Sequence, residues 1–311
     1  MDKFLAMTTF VQIVDRGSLT AAAEALDKSL PSVVRTLASL EEALNVRLLN
    51  RTTRRIALTE EGRHYLERCR RILADIEDAE LVLTAEQSEP SGNLNVTAPI
   101  LFGQMHVTPI VTSFVERFKR VHVDLLLLDR VVNLVEEGID VAIRIAHLGD
   151  SSMVALPVGQ IRRVVCASPK LLDKTGVLTR PEEIARHDCV RFTGIAPGTT
   201  WHFFEQGKQL SVQVTGPFVS NQATASIDAC AAGLGFGMFL SYQVEPLVKQ
   251  RKLKIVLPDF EPPPMPVSVI YPQPKLMATR VRVFVDWMTQ ELRQALGYHE
   301  QGSRHSRLRS F

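Results

Sequence analysis

The sequence predicts an α/β chain in three parts, and three observations carry that reading. The first sixty residues read as short helices closed by a pair of strands. One long helix with a heptad seam comes next. From Asn93 onward strands alternate with helices, the pattern of a parallel sheet covered by helices.

Composition sets the frame. A chain of 311 residues suits two or three domains. With 45% hydrophobic and 23% charged residues, it has the make-up of a folded globular protein. A net charge of +2 does not mark a globally basic nucleic-acid binder, so a DNA surface has to come from local clustering. The uncharged stretch between Asp228 and Glu245 is broken by Gly233, Gly235 and Gly237, and no apolar run reaches the roughly 18 residues of a membrane span. Met1-Asp2-Lys3-Phe4 is unlike a secretory signal, so the expected location is cytoplasmic, with no membrane partner. Cys69, Cys166, Cys189 and Cys230 form no C-x-x-C pair. They read as small buried residues, with no metal site and no cofactor expected.

Residues 3–15 form the first predicted helix, with Phe4, Met7, Phe10, Val11 and Val14 on one face. Arg16-Gly17 ends it. Ser18 is a natural N-cap for a short alanine-rich helix over 19–26. Ser29 caps a third helix over 30–44, with Pro31 in its first turn. Val33, Leu37, Leu40 and Leu44 make its apolar stripe, and Ser32, Arg35, Thr36 and Ser39 its polar face. Two helices across a tight turn fit a helix-turn-helix, although small helical domains of other function contain such pairs.

The next residues sharpen the choice. Residues 46–49, a basic tip over 50–55 and a return over 56–59 read as strand, tip and strand, which is a wing. Between Arg47 and Arg71 stand eight arginines (positions 47, 51, 54, 55, 63, 68, 70 and 71) and three glutamates (60, 61 and 67). The guanidinium fork suits phosphate. Beside a helix-turn-helix, the cluster reads as phosphate contacts more readily than as a solvated basic surface.

Residues 10–62 resemble the DNA-binding domain of the LysR-type transcriptional regulators. The resemblance rests on Gly17-Ser18-Leu19-Thr20-Ala21-Ala22-Ala23, Pro31-Ser32, Leu40-Glu41-Glu42-Ala43-Leu44, Arg47-Leu48-Leu49-Asn50-Arg51 and Leu58-Thr59-Glu60-Glu61-Gly62. Arg51-Thr52-Thr53-Arg54 resembles the wing of the CrgA-type subgroup. The resemblance implies double-stranded DNA as partner. It implies contacts from Ser18, Thr20, Ser29, Leu30, Pro31, Ser32, Val34, Arg35, Thr36 and Ser39, and from the wing residues Arg51, Thr52, Thr53, Arg54 and Arg55. Leu30 and Val34 stand where the family usually has polar residues; they suit thymine methyl groups rather than hydrogen bonds.

Thr59 caps the long helix, which is expected to reach about Gln87. Its apolar positions Tyr65, Cys69, Ile72, Ile76, Ala79 and Leu83 are spaced 4, 3, 4, 3 and 4, a heptad seam. Such a seam either packs on its own domain or pairs with a second copy. In the family the linker helix pairs two subunits, which implies a dimer or tetramer on a dyad-symmetric operator. A hinge is expected over 86–91.

The remainder is predicted to hold strands at 94–98, 123–128, 140–145, 154–158, 162–167, 189–192, 210–215, 235–239, 253–256 and 267–271. Helices are expected at 104–118, 132–137, 169–174, 221–232, 241–249 and 276–296. The run 123–128 is continuously apolar but for Asp124, which suggests a strand buried on both faces. Gly233-Leu234-Gly235-Phe236-Gly237 comes after a helix and therefore lacks the order of a dinucleotide fingerprint. No nucleophile elbow, P-loop or zinc-protease motif occurs, so no enzyme and no catalytic residue is expected.

This part resembles the LysR effector domain, through Ser91-Gly92-Asn93-Leu94, Gly138-Ile139-Asp140-Val141-Ala142-Ile143-Arg144, Leu156-Pro157 and Ala231-Ala232-Gly233-Leu234-Gly235. The resemblance implies two lobes like those of type 2 periplasmic binding proteins: 93–162 with 267–296, and 163–266. The expected division is thus 1–59 for winged helix-turn-helix, 60–87 for linker, 88–298 for effector domain and 299–311 for a disordered tail. Ligands sit beyond the carboxyl ends of strands. That rule gives Thr97, Ala98, Pro99, Ile100, Phe102 and Arg144 from one lobe, and Phe192, Thr193, Ser220, Asn221 and Gln222 from the other. Asn221 would cap the next helix, whose N-terminus favours an anion. Arg144 suits a carboxylate ligand and, equally, an internal ion pair. The expected effector is a small anionic or aromatic molecule that shifts the lobe populations, with RNA polymerase a possible partner. The alternative is a solute-binding protein with no DNA role, which explains the lobes but not the wing.

Overall fold

The computed structural model describes residues 1–52, 55–84, 89–147, 153–194, 197–273 and 277–298. Their contacts separate a unit of Met1–Asn93 with Leu276–Arg280 from a unit holding Leu94–Lys275 and the last helix from Val281 onward.

In the first unit, α1 (Lys3–Arg16) ends at Gly17, whose φ of 65° is left-handed. Ser18 Oγ accepts the Thr20 and Ala21 amides and starts α2 (Leu19–Ala25). Ser29 Oγ accepts the Ser32 amide and starts α3 (Leu30–Leu44). β1 (Leu49–Thr52) and β2 (Arg55–Leu58) pair antiparallel with Leu49 opposite Leu58. α4 (Glu60–Thr84) begins at Thr59, whose Oγ1 accepts the Gly62 amide at 2.8 Å. The core joins Ala6, Phe10, Ile13, Ala22, Val33, Leu37, Leu40, Leu48 and Cys69. Two expectations fail here. Phe4 and Leu44 are exposed, because the core ends one turn inside each helix; Ala6 and Ile13 complete the buried face of α1.

The second unit contains two five-stranded sheets. The first has the order β4-β3-β5-β14-β6, formed by β3 (Gly92–Ala98), β4 (Val121–Leu127), β5 (Val141–Ile145), β6 (Met153–Ile161) and, after an excursion, β14 (Met265–Pro272). The excursion builds the second sheet, of order β11-β8-β12-β7-β13, from β7 (Arg163–Ala167), β8 (Asp188–Phe192), β11 (Thr215–Ser220), β12 (Phe236–Leu240) and β13 (Lys254–Val256). β9 (Thr200–Glu205) and β10 (Lys208–Gln213) form a separate hairpin. Helices α5 (Ile100–Phe102), α6 (Thr108–Arg117), α7 (Pro169–Thr175), α8 (Ala223–Ala231), α9 (Ser241–Lys249) and α10 (Thr279–Ala295) complete the unit.

Several expectations need correction. The sheets are mixed: β14 runs antiparallel to β5 and β6, and β7 antiparallel to β12 and β13. The strands that cross between lobes or return from a crossing enter from the opposite end. β4 is an edge strand whose residues alternate between more and less covered, because α6 packs on one face only. The expected helix over 132–137 is one isolated turn. Asn133 Oδ1 accepts the Val135 and Glu136 amides, and Gly138 at φ 67° ends the turn. The helix expected over 104–118 begins with a π-helical turn, Gly103–Val107. The strand expected over 210–215 is divided between β10 and β11 at Val214.

Candidate DNA interface and ligand cavity

The surface of α3 is set by its caps. Ser29 and Pro31 fix the first turn, and the stripe Val33, Leu37 and Leu40 turns inward. Leu30, Pro31, Arg35 and Ser39 are therefore exposed, with Ser32, Val34 and Thr36 half-buried between them. Arg35 Nε donates back to Pro31 O at 3.3 Å, and Thr36 Oγ1 donates to Ser32 O at 3.0 Å. Ser18 and Ser29 are occupied as caps, and Thr20 is exposed on α2. Arg51, Thr52 and Arg55 lie on the wing strands, where Thr52 pairs with Arg55. Thr53 and Arg54 lie outside the described residues.

Sequence reasoning missed the buttress of this surface. Glu41 Oε1 accepts the Leu48 amide at 2.8 Å and the Leu49 amide at 3.2 Å. One carboxylate thus fixes the entry of the wing against α3. Of the arginine cluster, Arg70 pairs with Asp15 of α1 and is thereby engaged within the unit.

The linker seam is divided. Cys69 is completely buried in the core of its own unit, together with Leu66, and Tyr65 lies 5.8 Å from the Phe10 ring. These first seam positions seat α4 on its own domain, so Cys69 offers nothing to a partner. Ile72 is exposed and Ile76 half-buried. The side chains of Ala79 and Leu83 lie outside the described residues, as do 86–88 of the expected hinge and 299–311 of the expected tail.

Between the two lobes of the second unit lies a cavity of about 870 Å³. Of the predicted ligand residues it brings together Pro99, Arg144 and Phe192. Thr97, Ala98 and Phe102 have no exposed surface. Thr97 Oγ1 donates to Leu126 O at 2.7 Å, and Phe102 packs edge-on against Tyr242. Ile100 donates its amide to Asp129 Oδ1 at 3.0 Å. Thr193, Ser220, Asn221 and Gln222 are not among the lining residues. Nor does Asn221 cap α8. The cap position is Gln222, which makes no side-chain cap bond, and its amide is taken by Ser220 Oγ at 3.0 Å.

The unforeseen wall is the loop after β4. Leu128, Asp129, Arg130, Val131, Val132, Asn133 and Leu134 line the cavity, and Tyr242 and Gln243 at the start of α9 close it from the other lobe. Both lie at carboxyl ends of strands, so the strand-end rule contained the signal. The loop is tied down by Arg130, whose Nη1 and Nη2 donate to the two Glu137 oxygens at 2.8 and 2.5 Å. That pairing holds the Glu137 carboxyl below its usual range. Arg144 Nη1 donates to Arg130 O at 3.4 Å. Its Nη2 is buried with no hydrogen-bond partner among the described residues. Burial disfavours the charge of this guanidinium. Gln243 Oε1 accepts the Leu240 amide at 3.0 Å, fixing the start of α9.

The thiols in the second lobe sit elsewhere. Cys230 Sγ donates to Cys166 O at 3.4 Å, and burial pushes the Cys189 and Cys230 thiols up to about 12. Among the described residues no helix is long and apolar enough to cross a membrane, and no group of three His, Cys, Asp or Glu residues is arranged to hold a metal.

Comparison with known proteins agrees with this architecture. Residues 4–63 match the family described as bacterial regulatory helix-turn-helix protein, lysR family, and residues 87–293 match the LysR substrate binding domain. A helix-turn-helix-type transcriptional repressor of Pseudomonas aeruginosa is 36% identical over 93% of this chain and 92% of its own. The regulator CrgA of Neisseria meningitidis is 33% identical over 92% and 96%. The solved structure of CrgA has a TM-score of 0.59 at 32% identity, covering 92% of this chain and 98% of that one. Full-length AphB, a virulence activator of Vibrio cholerae, gives 0.59 at 25% identity over 92% and 98%.

Proposed function

The chain belongs to the LysR family of transcriptional regulators, in its CrgA-like group, and on that premise we propose how its two units divide the work. The first unit binds DNA and the second responds to a small molecule. α3 enters the major groove with Arg35 and Ser39 toward base edges. Leu30 and Val34 meet thymine methyl groups, and the wing arginines meet phosphates. Residues 60–87 couple two copies through the outer part of α4, from Ile72 onward, giving a dimer or tetramer on a dyad-symmetric operator. The working site is the cytoplasm, and RNA polymerase is a candidate partner at the promoter.

The interlobe cavity takes the effector, which is anionic or aromatic. The observation that carries this reading is Arg144 Nη2, buried at the cavity wall without a partner among the described residues. Phe192 and Tyr242 line the same cavity from the other lobe and add aromatic edges there. An effector that fits one lobe arrangement better than another shifts the population toward it, and the shift alters the geometry of the paired DNA-binding units.

The test is a gel shift of the full-length protein on the DNA flanking its own gene, run across a salt series, with Arg35→Ala beside the wild type. A sequence-specific complex is expected, with the logarithm of the affinity falling linearly in log salt and specificity lost in the variant. A folded protein that shows no preference for that DNA over random duplex at any salt overturns the reading.

A further inference from the structure

We propose that the interlobe cavity is built for a monocarboxylate with an apolar body: the carboxylate docks on Arg144 Nη2, and the body lies beneath the loop formed by Leu128–Leu134. The proposal rests on the reading that this cavity is the effector site, and it narrows that reading to one ligand class.

The strand pattern places the parts. Along β5, Val141 and Ile143 enter the main core of the first lobe, while Ala142 joins a separate apolar cluster on the opposite face. Period-two alternation sends Arg144 to that same face. There the loop lays Val132 and Leu134 over Ala142 and Ile270, with Met153 beside them. All five of these apolar residues also line the cavity. An arginine therefore stands at the mouth of an apolar recess.

Charge accounting then selects the partner. Glu137 is the carboxylate nearest Arg144 in influence, but both its oxygens serve Arg130, and Oε1 also accepts the Asn133 amide at 3.3 Å. Asp129 Oδ1 accepts the Ile100 amide, and its influence falls on Tyr242 rather than on Arg144. Arg144 thus keeps a buried guanidinium face without its own counter-ion among the described residues. A half-buried cation in that state gains most from one anion whose two oxygens match the guanidinium fork. A dianion would need a second free cation: Arg130 is held by Glu137, and the remaining basic side chain among the described lining residues is the imidazole of His147, a weaker anion partner than a guanidinium fork. A neutral apolar ligand would fill the recess and leave Nη2 unsatisfied.

The experiment uses matched pairs on the full-length protein: benzoate with benzamide, cinnamate with cinnamamide, and octanoate with octanamide, with succinate and inorganic phosphate as dianion probes. Binding is read by calorimetry and by the thermal shift of the wild type and of Arg144→Gln. At least one acid is expected to bind about tenfold or more tightly than its amide, the effect of one charge-assisted bond made rather than left unmade. In Arg144→Gln that difference disappears, while the amide binds as before. The proposal fails if no acid in the panel outbinds its amide, if succinate or phosphate binds more tightly than every monoacid, or if the preference survives in Arg144→Gln. The acid–amide comparison is made on the wild type, so it stands even if the variant misfolds. A gel shift on the same samples separates the two failures. Intact DNA binding with no acid preference sinks this proposal alone, whereas absence of specific DNA binding by the wild type sinks the reading beneath it.

Discussion

Glu41 offers the sharpest test of how the DNA-binding unit is held in shape. Its Oε1 accepts two amides, those of Leu48 and Leu49, whose side chains are 1% and 3% exposed. Glu41→Ala removes the acceptor and leaves both donors beside an apolar core. A hydrogen bond to a charged group contributes about 1.5–3 kcal/mol, and an orphaned buried donor costs about 1–3 kcal/mol. Glu41 is itself half-buried, so water reaches the vacated position in part, and the two losses together come to about 2–4 kcal/mol. At about 1.4 kcal/mol per tenfold, hydrogen exchange at Leu48 and Leu49 should accelerate about 30- to 700-fold in Ala relative to wild type. Glu41→Gln keeps an oxygen acceptor and loses the charge, so it should lose about 1 kcal/mol, or less than about tenfold. Exchange is the right probe because both tryptophans, Trp201 and Trp287, lie outside this unit. Unchanged exchange in Glu41→Ala, or equal acceleration in Ala and Gln, would refute the buttress.

The same structure gives three further expected outcomes. A Cβ on Gly62 would lie 2.0 Å from the Leu48 carbonyl oxygen, so Gly62→Ala should destabilise the first unit by about 1–3 kcal/mol, read as faster exchange across α1–α3; no change would mean that α4 can shift freely. All four cysteines are buried, and burial raises each thiol, so native protein at pH 8 should alkylate far more slowly than the unfolded chain, with four thiols released on denaturation. Rapid native labelling would contradict that packing. Burial lowers the His106 pKa from its ordinary 6.5, with Glu245 opposing. Its neutral form is therefore favoured in the folded state, and the stability it contributes is present above about pH 6.5 and lost as pH falls below it. Melting temperatures at pH 7.5 and 5 should differ less in His106→Gln than in the wild type, and an equal difference would remove His106 from that account.

Much of the first unit was legible because its signals are local. Ser18, Ser29 and Thr59 are caps in the sequence and caps in the structure, since a hydroxyl three residues before an amide needs no tertiary partner to act. The second unit was legible in its alternation but not in its edges. The apolar run over 123–128, interrupted at Asp124 alone, suggested two covered faces, yet coverage depends on which strand ends the sheet, and residue order does not carry that. The hairpin β9–β10 was missed although Trp201, Phe203, Leu210 and Val212 alternate about Gly207 at φ 79°. Cavity residues divided for a similar reason. The strand-end rule finds Pro99 and Arg144, but Thr97 and Phe102 turn into the core, and the loop from Leu128 to Leu134 enters because Asn133, Glu137 and Arg130 fold it back. In α4 the heptad spacing was real, but Cys69 shows that a seam can begin inside its own domain.

Hydroxyl-radical footprinting of the full-length protein on the DNA flanking its gene tests the central claim most directly. The account predicts two protected patches on one face of the duplex, their centres one or a few helical turns apart, each about 10 base pairs per turn. It predicts that Arg35→Ala loses both patches together while the protein stays folded. A single asymmetric patch, or protection that persists unchanged in Arg35→Ala, would contradict the claim that two copies of α3 read this DNA.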